Sequence, residues 1–150
     1  FLARVDITHV PYRGTGPAMT DLLAGTVTMA LDTLSILLPP SRAGSLKAIG
    51  VTTPARSRLV PDLPALAETL PGFDAAPFNY IAATGGTPPA IIARLNRAIV
   101  GILSEPAYRA RMEALGEEAT TSSPEELAAT IAAESARWKQ VIEAAGIRVE

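Results

Sequence analysis

Residues 9–25, HVPYRGTGPAMTDLLAG, lead from an apolar strand-like end through Arg-Gly-Thr-Gly-Pro into a helix. Gly16 is the expected N-cap and Pro17 the first helical residue, where a missing N–H costs nothing. The helix is expected over Pro17–Ala24 and closes at Gly25, a residue suited to the left-handed conformation. Such a start leaves the backbone amides of Gly14–Ala18 free at the positive end of a helix dipole. That end attracts an anion by about 0.3–1 kcal/mol when exposed and up to about 2 kcal/mol when partly buried. Thr15 adds a hydroxyl and Tyr12 a phenol. Two nucleotide loops are excluded. No Gly-Lys-Ser/Thr follows, and Met19 stands where the third glycine of a dinucleotide fingerprint belongs. Glycine and proline also make a good helix start for its own sake, so anion cradle and plain helix start are equally open on the residues alone.

Outward from this turn, Val5–Val10 alternates as a strand should, and Thr26–Thr33 returns to period two with Val27, Met29 and Leu31 on one face. Leu34–Gly44 reads as a short helix ended or bent by Pro39–Pro40, and Leu46–Thr53 as a buried strand. The order is βαβαβ, which favours a sheet with helices against its faces. Residues 54–77 are proline-rich and irregular, with one short helix near Ala65–Leu70. Phe78–Thr84 is a last strand. Beyond it the chain is helical. Thr87 is the expected cap of a helix opening at Pro88, with Ile91, Leu95, Ile99 and Ile102/Leu103 on one face. A second helix spans about Pro106–Leu115 and stops at Gly116. Ser123-Pro-Glu-Glu126 is a capping box; its helix carries Leu127, Ile131, Trp138, Val141 and Ile142 and ends at Gly146. Trp138 is expected in the core. The change of style near residue 84 divides an α/β segment, 1–84, from a mainly helical one, 85–150.

The chain has 150 residues, 48% of them hydrophobic, and a net charge of −2. With no basic stripe and few aromatics, no nucleic-acid partner is expected. No cysteine means no disulfide, thiol nucleophile or zinc–thiolate site; one histidine excludes a multi-histidine metal site. No apolar run approaches the ~20 residues of a membrane span. The first residue is Phe rather than Met and no signal peptide is visible, so the sequence reads as a processed or cut piece. His9 has no triad partners and reads as structural. Asp32, at a strand end and followed by Thr33, is better placed, because ligands of open α/β sheets gather beyond the carboxyl ends of strands. A turn or N-cap role explains it equally well. Asp62, Glu68, Arg56 and Arg58 read as solvated or as loop bridges. No constellation of catalytic residues is visible.

The segments VPYRGTGPAMTDLLAGTVTMALDT (10–33), LKAIGVTTPARSRLVPDLPALAETLPGF (46–73), TGGTPPAIIARLN (84–96), ALG (114–116) and ELAATIAAESARWKQVIEAAGI (126–147) together closely resemble the tripartite tricarboxylate transporter substrate-binding proteins, the Bug family. The resemblance runs nearly the whole length. It implies an α/β, type II periplasmic-binding-protein-like lobe with C-terminal helices returning to a first lobe that this chain lacks. It implies a periplasmic, non-enzymatic receptor without cofactor or metal, which captures a small organic carboxylate and delivers it to membrane permease subunits. In that family the turn matching Tyr12, Gly14, Thr15, Gly16, Pro17 and Ala18 supplies amides and side chains to the ligand carboxylate, often with ordered water. The strand end matching Asp32 and Thr33 faces the same cleft. Three departures, Ala65 for a usual Thr, Thr69 for a common Gly and the Pro39–Pro40 pair, concern packing. The same fold serves as the effector domain of transcription regulators, so a ligand sensor is the alternative. The fragment alone is expected to form a homodimer or swapped dimer, with Gly85–Gly86 as hinge.

Overall fold

The computed structural model describes residues 5–147. Two units divide the chain. The first to be described contains the residues through Ala76 together with Leu115–Glu117, and the second contains Pro77–Ala114 and the residues from Glu118 onward. The outermost positions of the 1–84 and 85–150 segments lie outside the described residues.

In the first unit, helix α1 spans Thr15–Leu23 and α2 spans Leu34–Arg42. The start of α1 corrects the sequence reading by two residues. Gly14, with φ 129°, is the N-cap, and Pro17 stands at the third helical position. Proline is tolerated there because the first-turn N–H groups have no partner within a helix in any case. Gly25, at φ 75°, terminates the helix as expected. A second correction concerns α2, which continues through Pro39 and Pro40 to Arg42. These prolines fall in the second half of a nine-residue helix. The backbone beyond them still closes its turns, with Ala43 N–H on the Pro39 carbonyl and Ser45 N–H on the Pro40 carbonyl, both at 3.0 Å.

The expected strands Val5–Val10, Thr26–Thr33, Leu46–Thr53 and Phe78–Thr84 form no ladder among the described residues. Only a parallel bridge between Val51 and Ala65 appears. Val51 N–H donates to the Pro64 carbonyl and Leu66 N–H to the Val51 carbonyl, each at 2.9 Å. Period-two alternation specifies which side chains share a face, but a strand exists only when another backbone pairs with it. Here Ile7, Leu31, Ile49 and Ile81 remain more than 60% exposed. The packed point of this unit is Ala65, 2% exposed, at the entry to a 3₁₀ turn over Leu66–Glu68.

A charged clip closes the same loop. Arg56 Nε and Nη2 donate to Glu68 Oε1 and Oε2 at 2.8 and 2.9 Å, and Nη1 donates to the Pro61 carbonyl at 3.1 Å. The Ala65 N–H donates to Glu68 Oε1 at 2.9 Å. Arg56, and then the Ala65 amide, hold the Glu68 carboxyl down at about 2, from an ordinary 4.5. A depressed carboxyl contributes stability above its unfolded pKa and loses it as pH falls from 4.5 through about 2. The pair is exposed, so its share of global stability is small. Carboxyl NMR titration should give a Glu68 midpoint near 2, and Arg56→Ala should move it back toward 4.5.

The second unit contains α3 (Pro89–Ser104), α4 (Pro106–Ala114) and α5 (Pro124–Ala145), with α3 packed against both others. The cap of α3 is Pro88 rather than Thr87, and the Thr87 hydroxyl donates to the Thr84 carbonyl at 2.7 Å. The box at α5 forms as read. Ser123 Oγ accepts from Glu126 N–H at 3.1 Å, and Ser123 N–H donates to Glu126 Oε2 at 2.8 Å. Trp138 is not core. It is 40% exposed, lies under the Arg137 guanidinium at 5.1 Å, and donates its indole N–H to Glu134 at 3.1 Å. One turn of polar neighbours satisfies the ring where apolar packing was expected.

Candidate functional site

The first turn of α1 carries no side-chain cap. Helix register directs the Ala18 N–H to the Gly14 carbonyl, and Pro17 has no N–H, so the free donors narrow to Gly14, Thr15 and Gly16. Gly14 requires its glycine, since φ 129° is a backbone state that side chains rarely adopt. Around both Gly14 and Gly16 an added Cβ would meet nothing within 4 Å. The amides therefore stand at an open edge. Arg13 beside them is exposed and brings a positive charge to the same turn.

Tyr12 is placed by a residue that the sequence reading did not single out. Its hydroxyl donates to Asp21 Oδ2 at 2.7 Å, across the whole turn. That hydrogen bond, followed by burial and the Asp21 charge, raises the phenol above its ordinary pKa of 10. The Asp21 carbonyl also accepts from Thr26 N–H at 2.9 Å and Val27 N–H at 3.4 Å. A signal was present in the sequence: Asp21 sits in the last turn of a helix, the end where the dipole disfavours a carboxylate.

Asp32 Oδ1 accepts from the Thr33 N–H at 2.7 Å, and Thr33 is the N-cap of α2. The Ser35 hydroxyl ties this helix start to Glu117 Oε1 at 2.8 Å and lies 3.2 Å from Thr33 Oγ1. No local pattern could have paired Ser35 with Glu117, which is 82 positions away. Each of the two pieces, Tyr12–Ala18 and Asp32–Thr33, is held by its own contacts. His9 is exposed. Among the described residues no group of three His, Asp or Glu could hold a metal, and no helix is long and apolar enough to cross a membrane. In the other unit a shallow open groove lies between the starts of α3 and α5, lined by Thr87, Ile92, Asn96, Arg97 and Ser123.

The family model for the tripartite tricarboxylate transporter family receptor matches residues 2–147. The chain belongs to this family. Among curated relatives of the chain, the UPF0065 protein in the tcbD-tcbE intergenic region of Pseudomonas sp. (strain P51) is 35% identical over 142 residues, covering 93% of this chain and 42% of that protein. Among solved structures, R. palustris Rpa4515 with adipate superposes with a TM-score of 0.87 at 33% identity, over 97% of this chain and 49% of that one. MatC (Rpa3494) from Rhodopseudomonas palustris, with bound malate, gives 0.71 at 34% identity over 94% and 49%. The chain thus has the fold class of part of a periplasmic binding protein, and it spans about half the length of these relatives.

Proposed function

We propose that this chain is one half of a periplasmic solute receptor that holds a small organic carboxylate and hands it to the permease subunits of a tripartite tricarboxylate transporter. The observation that carries the reading is the uncapped start of α1, where the three free amides begin at a glycine held at positive φ. Membership of the receptor family supports it, as do the dicarboxylates adipate and malate bound to two related proteins. In this reading Tyr12, Gly14, Thr15, Gly16, Pro17 and Ala18 form one wall of the ligand site. Asp32 and Thr33 face it, residues 1–84 make the second lobe, and residues 85–150 return to the first. No cofactor or catalytic group takes part, so the ligand leaves unaltered. Calorimetry on the receptor completed with its other lobe, against malate, adipate and citrate, tests this. At least one acid should bind, and mass spectrometry should recover it unchanged. No binding of any of the three would overturn the reading, and turnover would overturn its non-enzymatic part.

The 150-residue chain by itself is proposed to associate, as a homodimer or a swapped dimer. Ile91 and Leu95 on α3 are each about half exposed, 49% and 48%, and covering one large apolar side chain is worth about 1.5–3 kcal/mol. Gly86, at φ 84°, offers a hinge before α3. Sedimentation should give about twice the 15.6 kDa of one chain. A monodisperse monomer would refute pairing.

A further inference from the structure

We infer that Asp21 is a positioning residue for the ligand turn, acting through Tyr12 to hold the free amides of Gly14–Gly16 in register before any ligand arrives. This inference rests on the proposed site, and it adds a residue to that site. The turn contains two glycines, and neither would place an added Cβ within 4 Å of any neighbour. No neighbour therefore packs against the two glycines that give the turn its freedom. Glycine-containing backbone loses the most freedom on ordering, so an untethered turn would pay that entropy on each binding event.

The Tyr12–Asp21 hydrogen bond supplies the tether. It joins the chain before the turn to the last turn of α1, nine residues on. Asp21 is itself anchored on its other side, since its carbonyl receives the N–H groups of Thr26 and Val27. One residue thus ties together the chain before the turn, the last turn of α1 and the chain that follows the helix. Its chemistry suits this task better than helix formation. An aspartate in the last turn faces the negative end of the dipole and is a poor helix former, and the phenol proton offsets both penalties. Because the phenol donates to Asp21, its oxygen is left to accept, so Tyr12 gives no hydrogen to a ligand carboxylate. The amides do that work, and Tyr12 with Asp21 sets where they stand.

The test uses the complete receptor with malate and adipate as probes, in the variants Tyr12→Phe, Asp21→Ala and Asp21→Asn. Tyr12→Phe and Asp21→Ala should each weaken the acid that binds by about tenfold, the effect of lost preorganisation. The double variant should be no worse than either single one. Asp21→Asn, whose amide oxygen still accepts from the phenol, should restore affinity to within about threefold, with melting temperatures alike in Tyr12→Phe and wild type. Loss on Tyr12→Phe with no loss on Asp21→Ala would overturn the inference, because Tyr12 would then touch the ligand directly. Unchanged affinity in both would overturn it too. If neither acid binds the wild type, the carboxylate reading is in question, and hydrogen exchange in the ligand-free protein decides the tether. Faster exchange of the Met19–Asp21 amides in Tyr12→Phe and Asp21→Ala, reversed in Asp21→Asn, supports it; unchanged exchange overturns it.

Discussion

Gly16→Val should lower carboxylate affinity of the complete receptor at least a hundredfold, far more than it lowers stability. Gly16 is the second residue of α1, its φ is not in the positive region, and an added Cβ meets nothing within 4 Å. The cost to folding is confined to the helical backbone required before Pro17, which a residue with a Cβ adopts less readily than glycine. The Gly16 N–H, in contrast, is one of three free donors, and a branched side chain beside it crowds any anion that approaches. A hydrogen bond to a charged group contributes about 1.5–3 kcal/mol, so losing two of them removes two or more decades of affinity. Gly16→Ala is the control for size: it meets the same backbone restriction before Pro17 with a single methyl, and it should cost much less binding. Calorimetry with the acid that binds the wild type, paired with urea denaturation, separates the two effects. Full affinity in the valine variant would show that the amides are not the clamp.

Gly116→Ala should destabilise the protein by about 2–3 kcal/mol. The residue has φ 79°, where an L side chain costs roughly 1–2 kcal/mol. Its Cβ would also stand 3.1 Å from the Cα and N of Ser35 and 3.4 Å from the Leu34 carbonyl carbon. Those atoms are backbone at the start of α2 and cannot rotate away as a side-chain tip would. Relief requires α2 to shift, which strains the 2.8 Å contact of Ser35 with Glu117. Gly86→Ala provides the comparison. Its φ of 84° is similar, but nothing lies within 4 Å, so only the conformational cost remains, about 1 kcal/mol. Urea denaturation of both variants measures the difference. Equal losses would mean that the chain at Gly116 does not lie against α2.

Helix ends were the most legible part of the sequence. The Ser123–Glu126 box and the left-handed glycines Gly25, Gly116 and Gly146 are local devices, decided within four residues of chain. Where two local devices competed, the reading slipped. At α1, proline at the first position and glycine as cap fitted Gly16-Pro17, but the φ of Gly14 moved the start back to Thr15. At α3, Thr87 had the chemistry of a cap, but the helix begins one residue later, after Pro88. Trp138 shared its face with aliphatic residues, yet it stays 40% exposed beside the Arg137 guanidinium and the Glu134 carboxylate. The turn from Tyr12 to Ala18 was visible as a candidate anion site because its ingredients are contiguous. Its tether was not read, although Asp21 lies within the same seventeen residues.

By itself the sequence determined the family, the helices with the capping box of α5, and the glycine-rich turn, since each depends on neighbours in the chain or on motifs in fixed order. Only the tertiary structure decided which of the turn's amides are free, that Asp21 holds Tyr12, that Glu117 meets Ser35 across 82 positions, and that the alternating segments make no ladder beyond the Val51–Ala65 bridge among the described residues. The physical reason is one of range. A helix closes its hydrogen bonds with residues three or four away, so its limits are written locally. A strand or a long-range side-chain contact is completed by a distant partner, and periodicity states which face seeks that partner without stating where it lies.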